Sequence, residues 1–322
     1  MPVPDHAWRP ASTMPVKRSE FGAANLEGSI VVAGGFDAGV QVDAFDLASG
    51  AWRRLADLPK AVHHPGVASL DGKLYVAGGY DPSDQIATAS LRIYDPIADS
   101  WSTGADLPNA KGAFGMAAAH GAVFAFGGAA ERLGGPASGS VERYDPAFDR
   151  WEAVAELPTP REHLAAAASR DAIYTCGGRA NGDESATFAA AVERFDLGTG
   201  LWRIDPPLPT PRAGLAAVAA GSSIVTAGGE RGSIVFATVE AFDLETGIWA
   251  QWPSLPRARH GLALALASSD VFGLGGSVVG GRVQSVDEVD LMPVGTPCDR
   301  PPRRFTANYG LGHRILVNAC RK

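Results

Sequence analysis

Residues 73–80 read Lys-Leu-Tyr-Val-Ala-Gly-Gly-Tyr, an apolar run that ends in a diglycine, and Trp52 lies 26 residues before the first glycine. The same combination of a tryptophan and a diglycine 26 residues later occurs six times along the chain. The six pairs are Trp8/Gly34-Gly35, Trp52/Gly78-Gly79, Trp101/Gly127-Gly128, Trp151/Gly177-Gly178, Trp202/Gly228-Gly229 and Trp249/Gly275-Gly276. Self-similarity at this spacing is typical of radial or solenoid repeat architectures.

Each repeat divides into four short strands. In the second repeat, residues 64–70 predict a strand, Asp71-Gly72 a tight hairpin turn, and residues 73–77 a second strand that is apolar on both faces. A third strand is predicted at residues 91–94 and a fourth begins near Trp101. Four antiparallel strands repeated six times predict an all-β fold, a six-bladed β-propeller.

These residues resemble the kelch-repeat family, in particular stand-alone bacterial kelch proteins. The family motif joins an apolar strand to a diglycine, and then to an aromatic residue that precedes a tryptophan by seven positions. Here that aromatic is Phe45, Tyr94, Tyr144, Phe195 and Phe242, whereas in the sixth repeat Val289 stands in its place and no tryptophan follows. The resemblance covers residues 8 to about 292 and implies a six-bladed kelch propeller.

The two ends of the repeat region complement each other. The last repeat contains three predicted strands, and the chain opens with an unpaired fourth strand around Trp8. Pairing these ends would close the ring and remove exposed sheet edges. We therefore expect a propeller domain over residues 1–292 and a basic tail with several Pro and Arg residues over 293–322, in which Cys298 and Cys320 either form a disulfide or remain reduced.

Composition excludes several classes of protein. The chain has 322 residues, a net charge of −7 and three cysteines, which argues against a nucleic-acid-binding surface and a disulfide framework. It contains neither a long apolar run nor a recognisable signal peptide. We therefore expect a cytoplasmic protein that binds neither membrane nor nucleic acid.

All variation in repeat length lies between the diglycine and the aromatic residue, and therefore in the loop between the second and third strands. These loops share one face of the propeller with the connections between blades. Variable loops on a rigid scaffold commonly carry function. This variable face is the predicted functional face.

In kelch proteins that bind ligands on this face, three sets of positions make the contacts. The first set follows the diglycine and holds Phe36, Tyr80, Ala129, Arg179, Glu230 and Ser277. The other two follow a position that is usually basic, occupied by Arg18, Val62, Lys111, Arg161, Arg212 and Arg259. One residue later stand Ser19, His63, Gly112, Glu162, Ala213 and His260, and two residues later Glu20, His64, Ala113, His163, Gly214 and Gly261.

Three functional interpretations follow from these positions. The first is a small-molecule enzyme, of the isomerase, epimerase, cyclase or lyase type, that uses histidine and glutamate as general acid and base in the central funnel and requires no cofactor. Some bacterial kelch propellers are sugar-acid epimerases or mutarotases. The second is a scaffold that binds a protein or peptide through Phe36 and Tyr80. The third is a divalent-metal site ligated by His63, His163 and His260.

The enzyme interpretation assigns a role to each candidate residue. The predicted catalytic residues are His63, His64, Glu162, His163, Glu230 and His260. The predicted substrate-binding residues are Ser19, Glu20, Phe36, Tyr80, Lys111, Arg161, Arg179, Arg212, Arg259 and Ser277. The arginines favour an anionic substrate, although Arg161, Arg212 and Arg259 also fit a structural role between blades. The small residues of the third and fifth repeats are expected to leave open volume.

Overall fold

The structure, a computed structural model, describes residues 7–180, 190–281 and 283–294. Within these ranges the regular elements are all strands, and 24 of them form six four-stranded antiparallel sheets. The sheets are the blades of a six-bladed β-propeller, as the repeat predicted. Of the described residues, none belongs to a helix with the length and apolar character needed to cross a bilayer.

The strands follow the repeat in chain order. After β1 (Arg9–Arg18), blade 1 contains β2 (Gly22–Leu26), β3 (Ser29–Ala33), β4 (Asp43–Asp46) and β5 (Ala51–Arg54), and blade 2 contains β6 (Gly66–Leu70), β7 (Lys73–Ala77), β8 (Leu91–Asp95) and β9 (Ser100–Gly104). A short β10 (Lys111–Gly112) precedes blade 3, which contains β11 (Gly115–Ala119), β12 (Ala122–Phe126), β14 (Val141–Asp145) and β15 (Arg150–Ala153), with β13 (Ala129–Ala130) in its long loop.

The second half of the ring has the same design. Blade 4 contains β16 (Ala165–Ala168), β17 (Ala172–Cys176), β18 (Val192–Asp196) and β19 (Trp202–Asp205), and blade 5 contains β20 (Ala216–Ala220), β21 (Ser223–Ala227), β24 (Val239–Asp243) and β25 (Trp249–Trp252). The long loop of blade 5 carries β22 (Glu230–Arg231) and β23 (Ile234–Val235). Blade 6 contains β26 (Ala263–Ala267), β27 (Asp270–Leu274), β28 (Val286–Pro293) and β1.

The N-terminal strand completes the last blade. β1 pairs antiparallel with β28, with Arg9 opposite Leu291 and Thr13 opposite Glu288, so the first and last strands of the propeller share one sheet. The predicted closure is confirmed. Closure gives the last blade its fourth strand and joins the two ends of the ring by backbone hydrogen bonds.

One assignment in the sixth repeat was wrong. In the other five blades, the residue four positions before the diglycine pairs with the motif aromatic. In blade 6 this residue, Val271, pairs with Met292 and not with Val289. Met292 is fully buried in the same hydrophobic cluster as Trp8. The sixth repeat therefore keeps the pair, with methionine in place of the aromatic ring and Trp8 supplied from the start of the chain.

The blades pack through their buried second strands and through the tryptophans. The second strands β3, β12, β17 and β21 are buried along their whole length, as their apolar sequences predicted. The tryptophan indoles donate hydrogen bonds to the preceding blade, for example Trp101 to the Ala56 carbonyl at 2.9 Å and Trp202 to the Ala155 carbonyl at 2.8 Å. The tryptophans thus stabilise contacts between blades.

The diglycine of blade 4 packs closely against the entrance of the next blade and against the entrance of its own blade. A Cβ atom on Gly177 would lie 2.6 Å from the Arg212 carbonyl oxygen, and one on Gly178 would lie 2.8 Å from that of Glu162. The Gly178 N–H donates to the Arg212 carbonyl at 3.0 Å, so the diglycine of blade 4 binds the entrance of blade 5. No side chain fits such an approach of backbones.

Candidate functional site

Two of the three predicted position sets meet in pairs on the variable face. In every blade, the residue after the diglycine forms an antiparallel bridge with the residue that follows the basic position. The six bridges are Ser19–Phe36, His63–Tyr80, Gly112–Ala129, Glu162–Arg179, Ala213–Glu230 and His260–Ser277. Each blade therefore presents two facing side-chain positions near the propeller axis.

The third set forms a closed ring of backbone hydrogen bonds around the axis. Each N–H of the set donates to the carbonyl of its counterpart in the preceding blade, at 2.7 to 3.1 Å. The members are Glu20, His64, Ala113, His163, Gly214 and Gly261, and all have positive φ between 52° and 59°. Left-handed backbone is unfavourable for residues other than glycine, so these inter-blade bonds hold Glu20, His64, Ala113 and His163 in place. We call this set the axial ring.

The axial ring surrounds a central cavity of about 100 Å³. Its titratable members, Glu20, His64 and His163, line the cavity together with Ala113, Gly214 and Gly261. Glu20 is one of the predicted substrate contacts, and His64 and His163 are two of the predicted catalytic residues. These three lie at the most central position of the site.

The small residues leave open volume only in part. A Cβ atom on Gly214 would make ordinary contacts, the nearest being 3.5 Å from His260 Cβ, so space remains on that side. A Cβ atom on Gly112 would collide with the Tyr80 ring at 2.4 Å, and one on Gly261 with Glu20 Oε1 at 2.3 Å. The predicted opening beside the third repeat is therefore filled by the Tyr80 ring.

On one side of the cavity, Glu162 holds two basic groups. One of its carboxylate oxygens accepts a hydrogen bond from His163 Nδ1 and the other from Arg179 Nε. Arg179 Nη2 lies 3.2 Å from His163 Nδ1, and Arg179 Nη1 lies 3.6 Å from Glu230 Oε1. Because Nδ1 of His163 is engaged by the carboxylate, Nε2 is the atom left to exchange a proton or bind a ligand.

On the other side, His260 lies between two carboxylates. Its Nδ1 lies 3.3 Å from Glu20 Oε1 and 3.6 Å from Glu230 Oε2. Its Nε2 lies 3.0 Å from the Val279 carbonyl oxygen, which can only accept a hydrogen bond. Both ring nitrogens therefore face acceptors, an environment that favours the imidazolium form. The Gly281 N–H donates a hydrogen bond to Glu230 at 2.8 Å. This contact and that of the Val279 carbonyl are made by the backbone, so no residue type in the sequence could have predicted them.

Several of the remaining predicted side chains are buried behind the residues that line the cavity. His63 is fully buried, stacks on Phe36 with ring centroids 4.2 Å apart, and places its Nδ1 2.7 Å from His64 Nδ1. Tyr80 is also fully buried and donates to the Ala129 carbonyl at 3.2 Å. Ser19 and Ser277 are both 1% exposed. The predicted substrate contacts through Tyr80, Ser19 and Ser277 therefore have no accessible surface.

The kelch motif matches residues 61–108, 111–158, 160–209 and 211–256, which is more than half of the chain. The protein belongs to the kelch family. A solved structure titled "Structure of YjhT" superposes with a TM-score of 0.78 over 88% of this chain and 96% of that one, at 18% sequence identity. At this identity the likeness shows the fold alone. No curated protein matches the sequence significantly.

In this kelch propeller the basic residues of the motif are buried ion-pair partners. Lys111, Arg161, Arg212 and Arg259 are at most 1% exposed and pair with acidic residues of the third strand in their own blade. The pairs are Lys111–Glu142, Arg161–Glu193, Arg212–Glu240 and Arg259–Asp290, with Arg18–Asp43 in blade 1. This burial argues against the substrate-binding role assigned to Lys111, Arg161, Arg212 and Arg259, and leaves Arg179 as the cation beside the cavity.

Burial and neighbouring charges give the ionisable groups of this kelch site different proton affinities. Burial lowers the pKa of His64 to about 3, although the charge of Glu20 opposes this shift. Burial alone would also lower the pKa of His260, but the hydrogen bond and charge of Glu20 raise it to about 9. Burial alone would raise the pKa of Glu162, but the charge and hydrogen bond of His163, with Arg179, lower it to about 2.

A group of possible metal ligands converges on the axis. One ligand atom from each of Glu20, His64 and His163 lies within 4.8 Å of the other two. His163 is the one member of this group that also belongs to the predicted metal set. His63 is stacked behind His64, and His260 faces the carboxylates of Glu20 and Glu230, so these two histidines lie outside the group.

Proposed function

We propose that the protein is an enzyme that binds a small polar molecule in the axial cavity and transfers a proton by general acid–base catalysis. The reaction would be of the isomerase, epimerase, cyclase or lyase type. The observation that carries this proposal is the pair of imidazole–carboxylate systems built around the cavity-lining residues His163 and Glu20, namely His163 with Glu162, and His260 with Glu20 and Glu230. Imidazoles oriented by carboxylates are effective proton carriers near neutral pH.

The two systems suit opposite roles. His163 presents Nε2 as the proton acceptor because Nδ1 is bound by Glu162. His260 is surrounded by acceptors, so it is the natural proton donor. His163 would take a proton from a carbon next to a carbonyl group while His260 protonates the carbonyl oxygen. The resulting enediol would then give a hydroxyl proton back to His260 and receive a proton on carbon from His163, which would complete an isomerisation.

Charge at the site shapes the choice of substrate. Glu20 lines the cavity, and Glu162 and Glu230 lie beside it, so that among the described side chains these three carboxylates face two cations, Arg179 and the His260 imidazolium. Arg179 is already paired with Glu162, and the other arginines of the motif are buried. We propose a hydroxy-carbonyl compound such as a sugar as substrate. A sugar acid would require its carboxylate to reach Arg179 or a bound cation.

The scaffold interpretation receives less support from the geometry. Tyr80, one of the two aromatic residues expected to contact a partner, is fully buried, and Phe36 stacks on His63. Binding hot spots generally need exposed aromatic or arginine side chains. The polar cavity is the more specific feature of this face.

The proposal predicts exchange of substrate protons with solvent. Aldoses, ketoses and their acids would be incubated with the protein in D₂O and followed by proton NMR for deuterium uptake next to the carbonyl. We expect one compound class to exchange, and His163→Ala and His260→Ala to slow that exchange by about 10²- to 10⁴-fold, the usual contribution of a positioned acid or base.

A matched control is available on the opposite face. His120 is exposed in the turn between β11 and β12, away from the cavity, so His120→Ala should exchange substrate at the wild-type rate. Exchange that persists unchanged in both His163→Ala and His260→Ala would contradict the proposed catalytic roles.

A further inference from the structure

Three donor groups of the axial ring come from separate blades and meet at one point. Glu20 precedes blade 1, His64 precedes blade 2 and His163 precedes blade 4, yet their ligand atoms lie within 4.8 Å of one another. His64 Nε2 lies 3.3 Å from Glu20 Oε2, and the ring centroids of His64 and His163 are 4.9 Å apart. All three backbones are held by the inter-blade hydrogen bonds of the axial ring. We propose that Glu20, His64 and His163 bind a divalent transition-metal ion on the propeller axis.

The contacts behind each histidine fit this role. A metal-ligating histidine usually has its other ring nitrogen hydrogen-bonded to a carboxylate, a carbonyl or another polar group, which fixes the ring and its tautomer. His163 Nδ1 is bound by the Glu162 carboxylate. His64 Nδ1 lies 2.7 Å from His63 Nδ1, and His63 is itself fixed by stacking on Phe36. In both histidines Nδ1 is therefore engaged, which leaves Nε2 as the atom for a metal ion.

The charge around the cavity also favours a cation. The carboxylates of Glu20, Glu162 and Glu230 lie close together and contact two cations, the Arg179 guanidinium and the His260 imidazolium, so one negative charge remains in excess among the described residues around the axis. Removing like charges from water without compensation is costly. A divalent ion bound by Glu20, His64 and His163 would balance this excess.

The donor set indicates which metals fit. Two imidazoles and one carboxylate with open positions are typical of iron(II), and imidazole also suits zinc and other late divalent ions. Magnesium and calcium prefer oxygen donors and are disfavoured. A bound ion would polarise a substrate carbonyl, the chemistry a metal supplies at such a site. Metal binding through His163 Nε2 would replace the base role proposed above for that atom, and His260 with Glu230 would remain for proton transfer.

The site can be tested without a substrate. Tag-free full-length protein, stripped with EDTA and dialysed, would be titrated with Zn²⁺ by calorimetry and with Co²⁺ by visible absorbance. We expect the variants His64→Ala, His163→Ala and Glu20→Gln each to bind one equivalent of metal ion less than the wild-type protein. Zn²⁺ should also raise the melting temperature of the wild type, and these variants should lose that increase.

Two further histidine variants serve as controls. His120→Ala and His260→Gln should keep the wild-type stoichiometry, because neither side chain belongs to the ligand group. Circular dichroism of the metal-free variants separates loss of ligand from loss of fold, and Glu20→Gln is the most conservative of the three ligand substitutions. Wild-type protein that takes up no Zn²⁺, ligand variants with unchanged stoichiometry, or loss of binding in His260→Gln would each overturn the assignment.

The metal site and the proposed reaction can fail separately. Proton exchange by a protein that binds no metal would remove the metal site and leave acid–base catalysis intact. Stoichiometric metal binding without exchange of any substrate proton would do the reverse. The variant His260→Gln distinguishes the metal site from the proposed reaction, because it should still bind the metal ion and should lose turnover.

Discussion

Three consecutive residues at each blade entrance have different surroundings. In blade 4, Arg161 points into the blade and pairs with Glu193, Glu162 faces Arg179 across the bridge, and His163 lies at the axis. The same division holds in blade 6 for Arg259, which is buried, and for His260, which contacts two carboxylates. A single step along the chain therefore separates a structural ion pair from a candidate catalytic residue.

The buried pairs predict a measurable cost when they are broken. Glu193→Ala would leave Arg161 buried and unpaired, and we expect it to reduce the free energy of unfolding by about 3–5 kcal/mol. The double variant Arg161→Met/Glu193→Leu should lose much less, because no isolated charge remains. Urea denaturation would measure both.

An exposed ion pair provides the comparison. Arg54 and Asp57 are 58% and 40% exposed, so Asp57→Ala should leave the free energy of unfolding almost unchanged, because solvent screens an exposed ion pair. An equal loss of unfolding free energy in Glu193→Ala and Asp57→Ala would show that burial does not increase the cost of breaking the Arg161–Glu193 pair.

At the scale of the element, the diglycine that ends the second strand determines how closely two blades approach. An added Cβ on Gly177 would lie 2.6 Å from the Arg212 carbonyl oxygen at the entrance of blade 5. Gly178 has a φ of +105°, and an added Cβ there would lie 2.8 Å from the Glu162 carbonyl oxygen at the entrance of its own blade. Its backbone also positions the bridge between Arg179 and Glu162. The same element therefore contributes to the stability of the ring and to the geometry of the site.

Gly178→Ala and Gly121→Ala should separate backbone strain from steric exclusion. Gly121 has a φ of +73° in a hairpin turn, and a Cβ added there would have nothing within 4 Å, so alanine should cost about 1–2 kcal/mol of unfolding free energy. Gly178→Ala adds a backbone clash and should cost at least about 2 kcal/mol more. Thermal denaturation of the two variants measures the difference, and equal melting temperatures would contradict the close-approach explanation.

At the scale of the whole molecule, stability depends on one strand contributed from the far end of the chain. β1 supplies the outer strand of blade 6 and places Trp8 in the cluster that contains Met292. The carbonyl of its last residue, Arg18, accepts a hydrogen bond from the Gly276 N–H of blade 6, and the Arg18 side chain pairs with Asp43 of blade 1. The ring is therefore closed by both backbone and side-chain contacts.

Deletion of residues 1–14 should lower the melting temperature of the entire propeller, because it exposes the edge of β28 and removes Trp8 and Met14 from the core. A circular permutant that joins β28 to β1 by a short turn should retain wild-type stability, since Arg9 lies opposite Leu291 and the hairpin would be local. Differential scanning calorimetry would compare the three proteins. A truncated protein that melts with the wild type would contradict closure by β1.

The sequence alone predicted the six repeats, the closure and the variable face, because these depend on spacing within the chain. A fixed interval between tryptophan and diglycine reflects hydrogen-bonded strands of constant length, and such local regularities are visible without coordinates. The resemblance to ligand-binding kelch proteins, and not the spacing itself, assigned Glu20, His64, His163 and His260 to that face. The prediction failed at Val289. The chain between the sixth diglycine and the third strand is longer than the motif comparison assumed, so Met292 occupies the position of the motif aromatic.

Only the tertiary structure decided which of these side chains meet. The sequence does not distinguish His63 from His64, yet one stacks against Phe36 and the other lines the cavity. Nor does it show that Arg161, Arg212 and Arg259 turn into their blades while Arg179 stays beside the cavity. The physical reason is that convergence at the axis depends on six chain segments, far apart in sequence, whose relative rotation is set by the hydrogen bonds of the closed ring.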